Sequence, residues 1–358
     1  MHLTFRRYDL QLAHKWMIAS SQATGGKWAH PTVLIELRDS DGTIGYGESS
    51  PSLRYNESAQ TAFEFMQLID ASRLSFDDVE GSMRYVEALR PGNYSPKGAI
   101  NIALLDGAAK RARQPLHQFL GLSFTEGSHV TSLTIGIDDA EIMREKTREA
   151  AAFPVLKLKV GAPDDQVNLA VLREVAPEKT VRVDANEAWR TKEEALRRIE
   201  ELARDAHIEF IEQPMPASNP PNDFIWLKER TPIPIVGDES YMNAGDVRVC
   251  AECFHGVNIK LAKTGGMTRG IEALRAARAA GLKTMIGSMV ESSLLTSAGA
   301  HLASLADWLD LDGNLLITND PFRGVTSPRG VMSFAEATEC YGLRVIPAAQ
   351  PDGNSVSS

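Results

Sequence analysis

The chain has 358 residues, with 38 Lys and Arg against 47 Asp and Glu, for a formal charge of −9. That balance excludes a protein that tracks nucleic-acid phosphates, which needs a basic face to displace counterions, and an acidic membrane surface would repel it. The length suits two domains or one large barrel with an appendage, and a hydrophobic content of 43% is ordinary for a globular core.

Arg6, Arg7, Asp9, His14 and Lys15 interrupt the first thirty residues. No secretory signal is expected there, and the cytoplasm is the expected compartment. Residues 3–12, 30–38 and 43–48 read as strands, with the Asp41-Gly42 signal of a tight hairpin between the last two. Residues 57–72, 77–90 and 96–113 follow a helical period, Pro96 falling early enough in the third that its missing N–H costs little. Residues 1–125 therefore form a small α+β unit.

After Gly127 the pattern changes to short β-rich runs separated by helical segments. The strands are expected to end near Ile135, Val160, Asp184, Glu212, Asp238, Lys260, Gly287 and Asp312, a spacing of 22 to 28 residues. Eight such units fit a TIM-type barrel, an α/β fold, over residues 126–324. An open doubly wound sheet is disfavoured, because no G-x-G-x-x-G follows a strand. The longest charge-free stretch, Ser292 to Ala306, is too short to cross a bilayer. Cys250 and Cys253 read as two small residues of one helix, since no second pair accompanies them. Tyr341 to Ile346 reads as one more strand, before a frayed polar end from Gln350 to Ser358.

In a barrel the chemistry lies at the C-terminal ends of the strands. Lys157 and Lys159 stand at period-2 spacing and point the same way. Three successive strands end on Asp184, Glu212 and Asp238, the next on Lys260, and the last on Asp310 and Asp312. A single carboxylate at a strand end usually caps a helix or pairs with a base. Three close together are costly without a counter-charge, and a hard divalent cation such as Mg²⁺ removes that cost; the absence of nearby His or Cys argues against zinc. Lys159 and Lys260 fall on opposite sides of the barrel, where a cation and a neighbouring ammonium would lower a lysine's pKa enough to make it a general base.

These blocks resemble the enolase superfamily, and within it the muconate-lactonizing-enzyme subgroup. The resemblance rests on Lys157-Leu158-Lys159, Asp184-Ala185-Asn186, Glu212-Gln213-Pro214, Asp238-Glu239-Ser240 and the run from Asn258 to Gly266. It implies a (β/α)7β barrel with an α+β capping domain, the latter completed by the C-terminal tail from about residue 325 to 358. It further implies Asp184, Glu212 and Asp238 as Mg²⁺ ligands, Lys159 and Lys260 as acid/base catalysts, and Lys157 as a contact to the substrate carboxylate. Asp310-Leu311-Asp312 is similar to the Asp-x-Asp of dipeptide epimerases, in which two carboxylates hold the substrate α-ammonium. The implied reaction is 1,1-proton transfer at the C-terminal residue of a dipeptide. Thr134 is a candidate substrate contact, and Glu291 lies in the same region without an assigned role.

Alternatives within the subgroup are o-succinylbenzoate synthase, N-acylamino-acid racemase and cycloisomerase; none needs an Asp pair against an ammonium. Outside it stands a metal-binding barrel without catalysis. The capping loops at 16–30 and 49–57 are expected to line the side-chain pocket. Lys15, Lys27 and Arg54 there favour an acidic side chain, such as that of Ala-Glu, while Glu48 and Glu57 would suit a cationic one. Association into oligomers is common in such barrels.

Overall fold

A computed structural model of the chain describes residues 1–19, 25–162 and 165–349. Part of the expected pocket loop at 16–30, and the tail expected to fray from Gln350 to Ser358, lie outside the described residues. The chain opens with three antiparallel strands, β1 (His2–Trp16), β2 (Lys27–Arg38) and β3 (Ile44–Ser49), in the order β1-β2-β3. Gly42 takes a φ of +85° in the turn between the last two, which the Asp-Gly pair anticipates.

Helices α1 (Ala59–Met66), α2 (Val79–Leu89) and α3 (Tyr94–Arg111) cover this sheet, and the short α4 (Leu116–Phe119) follows. The first is shorter than its sequence period, because Leu68 and Ile69 close it with tight turn bonds to Phe65 and Met66. Asn93 gives α3 no side-chain cap. Instead Glu57 reaches across from the preceding loop and accepts the N–H groups of Tyr94 and Ser95 at 2.6 and 2.9 Å. The helix lies directly on β3 because Gly45 and Gly47 present no side chains. A Cβ at Gly45 would stand 2.0 Å from the Ala103 carbonyl oxygen, and one at Gly47 2.1 Å from that of Ala99.

Eight parallel strands follow: β4 (Leu133–Ile135), β5 (Val155–Lys159), β6 (Thr180–Asp184), β7 (Ile208–Glu212), β8 (Ile235–Gly237), β9 (Gly256–Lys260), β10 (Lys283–Gly287) and β11 (Trp308–Asp310). They neighbour one another in chain order, and a bridge between Thr131 and Leu309 joins the two ends of the sheet. Helices α5 (Ala140–Glu149), α6 (Asp165–Val175), α7 (Lys192–Leu202), α8 (Pro221–Lys228), α9 (Val247–Cys253), the pair α10 (Leu261–Thr264) and α11 (Met267–Ala279), and α12 (Ser293–Ala300) fill the connections. The architecture is a (β/α)7β barrel with an antiparallel capping unit. Strand ends fall within two residues of those expected from the sequence. Cys250 and Cys253 are both free and buried in α9.

Two further short strands, β12 (Phe322–Arg323) and β13 (Ile346–Pro347), pair antiparallel in the tail. The strand expected at Tyr341 to Ile346 does not form before Ile346, since Gly342 and Arg344 take φ values of +60° and +58°. That turn brings the tail back to α3, where Leu343 N–H donates to Asp106 at 2.7 Å. On its other side α3 meets the barrel: Asn101 exchanges hydrogen bonds with Thr268, and Gly98 packs on the Gly265-Gly266 turn. Among the described residues no helix is long and apolar enough to cross a membrane.

Candidate active site

The two-residue period of the strands builds the site. Residues that share an inward face are Lys157 with Lys159, Arg182 with Asp184, Phe210 with Glu212, Val236 with Asp238, and Asn258 with Lys260. In the lower layer Phe210, Val236 and Met285 pack with Trp308 into a small cluster of their own. Above it the strand ends carry buried charge: Lys159, Asp184, Glu212, Asp238, Lys260 and Asp310 all fall below a tenth exposed.

Short ion pairs join them. Lys157 Nζ lies 2.6 Å from Asp310 Oδ2, 2.8 Å from Glu212 Oε2 and 3.0 Å from Asp184 Oδ2. Lys159 Nζ stands 2.6 Å from Asp184 Oδ2, and Lys260 Nζ 2.8 Å from Asp238 Oδ2. Lys263, in the single turn after β9, donates to the other oxygen of Asp238 and to its carbonyl. Lys159 and Lys260 sit on the second and sixth of eight strands, which are diametrically opposed in a closed barrel.

Asp184, Glu212 and Asp238 end neighbouring strands, but among the described residues no three His, Cys, Asp or Glu side chains gather around one point. Lysines stand between them instead. The donor set nonetheless fits a hard cation. It offers oxygen alone, and Glu212 Oε2 and Asp238 Oδ2 are buried with no directed hydrogen bond, only the ammonium groups at ion-pair distance. Negative charge is also in excess. Burial first, and then neighbouring carboxylates, push Glu212, Glu239 and Asp312 upward; for Glu291, burial and Glu48 do the same.

The lowered lysine pKa expected from the sequence depends on a cation beside the amine; the protein's own groups act on Lys260 in the opposite sense. Burial pulls it down, but Asp238 and Glu212 outweigh that and carry it well above the ordinary value. Lys157 is raised in the same way by Asp184, Asp310 and Glu212, against burial. Asp184, Glu212 and Asp238, the carboxylates expected to hold a cation, are among the groups that keep these ammoniums protonated.

On the last strand, Asp310 uses both oxygens within the protein, one with Lys157 and one with the Ser132 hydroxyl at 2.7 Å. Asp312 accepts the Thr134 N–H at 2.7 Å through Oδ2, while Oδ1 has the Ser288 hydroxyl at 3.4 Å. Thr134 thus meets the site through both its backbone N–H and its side chain, each bonded to Asp312.

Two of the three cations expected to select an acidic side chain, Arg54 and Lys27, have partners within the protein. Arg54 is bidentate to Glu187 at 2.5 and 2.7 Å. Lys27 Nζ is 2.5 Å from His30 Nδ1, and burial lowers its pKa to about 8. Both acidic candidates are likewise engaged, Glu48 with Ser292 and Glu57 with the start of α3.

Sequence reading missed several members. Lys263 lies three residues past Lys260, a spacing that one helical turn folds back onto the strand end. Asn258 donates to Glu212 Oε1 at 2.8 Å, and its place two residues before Lys260 was the available signal. The Trp16 ring lies 5.8 Å from Lys159 Nζ, a contact from the capping unit that no local pattern announces.

Comparison with known proteins matches residues 140–316 to the enolase C-terminal domain-like model. Residues 11–121 match the N-terminal domain of mandelate racemase / muconate lactonizing enzyme. The chain is 57% identical, over 96% of its length and 99% of the relative's, to an L-Ala-D/L-amino acid epimerase of Pedosphaera parvula. The fold is similar to a dipeptide epimerase from Cytophaga hutchinsonii complexed with Mg and D-Ala-L-Val (TM-score 0.87, 28% identity, covering 97% of this chain and 95% of that one). It is also similar to a substrate-liganded L-Ala-D/L-Glu epimerase from Bacillus subtilis (TM-score 0.89, 26% identity, covering 98% and 99%).

Proposed function

Because the chain belongs to the mandelate racemase / muconate lactonizing enzyme family of the enolase superfamily, we propose that it is a Mg²⁺-dependent dipeptide epimerase that inverts the α-carbon of the C-terminal residue. The observation that carries this reading is the pair of opposed lysines, Lys159 and Lys260, with three strand-end carboxylates between them and an Asp pair on the last strand. Names of the relatives support L-Ala at the first position. With Arg54 and Lys27 occupied inside the protein, glutamate is one acceptable C-terminal residue rather than a required one.

The α-proton of a carboxylate is a very weak acid, because its removal puts a second negative charge on the carboxylate oxygens. Asp184, Glu212 and Asp238 would hold the cation, which when bound supplies fixed positive charge where that second charge develops. One lysine takes the α-proton from its face of the substrate, and the opposite lysine returns a proton to the other face. The assignment of both lysines explains their common burial and opposed placement. Lys157 adds a third ammonium beside Glu212 and Asp310. Sharing Asp238 with a cation would withdraw the negative charge that now raises Lys260, and so make its neutral amine accessible. At the far end of the substrate, the α-ammonium meets Asp312 Oδ1, with Asp310 behind it held by Lys157 and Ser132.

Incubation of purified protein with Mg²⁺ and L-Ala dipeptides in D₂O tests the proposal. The expected result is one deuterium at the C-terminal residue and accumulation of the other epimer, both lost with EDTA. Turnover of o-succinylbenzoate precursors or N-acylamino acids, with dipeptides left unexchanged, would move the chain to another member of the subgroup.

A further inference from the structure

The carboxylates that close β6 and β7 and follow β8 share one arrangement. Each has one oxygen held by a donor of the protein's own frame. Asp184 Oδ1 accepts the Asn186 N–H at 2.9 Å, and Glu212 Oε1 accepts the Asn258 side-chain amide at 2.8 Å. Asp238 Oδ1 accepts Lys263 Nζ. The second oxygens are the ones that meet the remaining ammonium groups. Asp184 Oδ2 meets Lys157 and Lys159, Glu212 Oε2 meets Lys157, and Asp238 Oδ2 meets Lys260. A cation can replace those lysines at the second oxygens without disturbing the donors on the first.

Lys263 is the charged member of that donor set. Its side chain is fully buried, and an ammonium beside a cation site repels the cation. A neutral donor would tie the oxygen without that penalty, as happens at Asp184 and Glu212. What Lys263 adds is a second grip, because Nζ also donates to the Asp238 carbonyl at 2.5 Å. Backbone and carboxylate of one residue are thus tied to one ammonium.

The frame around this grip is rigid. Lys263 stands in the single turn α10, where the Gly265 and Gly266 N–H groups donate to the Leu261 carbonyl at 3.1 and 2.9 Å. Gly98 of α3 lies so close to that turn that a Cβ on it would stand 2.8 Å from Gly266 N. Gln213 Oε1, at the end of β7, accepts the N–H groups of Asp238 and Ser240 at 2.9 and 3.2 Å. Asp238 is therefore held at its N–H, its carbonyl and one carboxylate oxygen. Its Oδ2 has the Lys260 ammonium at ion-pair distance and no directed hydrogen bond.

That restraint decides how many oxygens Asp238 can offer. Mg²⁺ demands a near-ideal octahedron and is served by single carboxylate oxygens, whereas the larger Ca²⁺ takes more ligands and accepts both oxygens of one carboxylate. We propose that Lys263 is a positioning residue that keeps Asp238 a one-oxygen ligand and thereby selects Mg²⁺ over Ca²⁺. This rests on the Mg²⁺ assignment above. Charge alone predicts the reverse sign: removing an ammonium makes the site more negative, so both cations should bind more tightly.

Calorimetric titration of the metal-free protein with Mg²⁺ and, separately, with Ca²⁺ tests the proposal without turnover. Lys263→Met should weaken Mg²⁺ about 10- to 100-fold, the usual cost of losing such a support, and change Ca²⁺ less than about threefold. Tighter binding of both would make Lys263 a counter-charge, and equal weakening of both would make it a packing element. Either result, or no change in either cation, would overturn the proposal. Lys263→Gln, which keeps a shorter neutral donor, should give a Mg²⁺/Ca²⁺ preference between those of the parent and the methionine variant. The parent protein supplies a check that no folding defect can reach. In a crystal structure of its Mg²⁺ complex, Asp238 should bind through Oδ2 with Lys263 still on Oδ1, and binding through both oxygens would refute the role given to Lys263. A parent protein that binds neither cation would instead refute the Mg²⁺ assignment itself, and this proposal with it.

Discussion

If Asp312 meets the substrate ammonium, its charge should be worth far more for a dipeptide than for the same molecule without the amine. Asp310 has both oxygens satisfied by Lys157 and Ser132, at 2.6 and 2.7 Å. Asp312 Oδ1 has the Ser288 hydroxyl at 3.4 Å, and burial with the charge of Asp310 pushes its carboxyl upward despite the Thr134 hydrogen bonds, the signature of a carboxylate short of positive charge. Asp312→Asn removes that charge, while the amide oxygen can still accept the Thr134 N–H. Removing one member of a buried charge pair costs about 2–5 kcal/mol, or roughly 30- to several-thousand-fold in affinity. Competition constants for an L-Ala dipeptide and for its propionyl analogue, which lacks the amine, would read the effect without requiring turnover of the analogue. The expected result is a loss of at least about 30-fold for the dipeptide and less than about threefold for the analogue. Asp310→Asn should penalise the two more evenly, because it releases Lys157. Equal losses for both ligands with Asp312→Asn would refute the assignment of the ammonium to this residue.

Other predictions follow from the same geometry. Lys159→Ala and Lys260→Ala should each abolish epimerisation yet retain α-proton exchange from opposite epimers, measured by deuterium uptake; exchange from the same epimer in both would contradict the opposed placement. Mg²⁺ should raise the thermal midpoint, and EDTA should lower it while ending exchange, since a ligand that binds only the folded state stabilises it. Gly47→Ala should destabilise the protein by about 3 kcal/mol in urea melts, because the new Cβ would stand 2.1 Å from the Ala99 carbonyl oxygen; an unchanged midpoint would mean that α3 does not sit on β3 as described. His301, buried against His117 and bonded to the Leu343 carbonyl, has its pKa lowered by burial from 6.5 to about 3. The unfolded chain therefore gains a proton below pH 6.5 that the folded one refuses, and acidification from pH 8 to 5 should remove about 2 kcal/mol of stability through this residue. His301→Gln should lack that share of the pH slope, and an identical slope in both proteins would sink the argument.

Barrel, strand ends and charged upper layer were legible because a two-residue period and a regular spacing are local properties. Each charged residue there closes its own apolar run, so no tertiary knowledge is needed to find it. What a cation contacts is not local. Arg54 read as a selector of acidic side chains, but the fold brings it to Glu187, 133 positions away, and leaves it no second fork. The same limit applied to Glu48 and Glu57, which proved to hold Ser292 and the start of α3. The upward pull of Asp238 on Lys260 was hidden for a related reason: it depends on how closely Asp238 approaches, and a sequence gives neighbours on a strand but not distances across one. The tail failed at the backbone level, where Gly342 and Arg344 turn left-handed inside an apolar run that otherwise suits a strand.

Helix α3 has a consequence for protein engineering. It is buried on nearly every face, with β3 beneath Ala99 and Ala103, the Gly265-Gly266 turn against Gly98, and the returning tail at Asp106. A chimera that exchanges whole capping units between relatives would have to recut all three of those joints at once. The segment between β3 and Glu57 takes part in none of those three joints, so it is the piece of the capping unit that can be exchanged with least disturbance to α3.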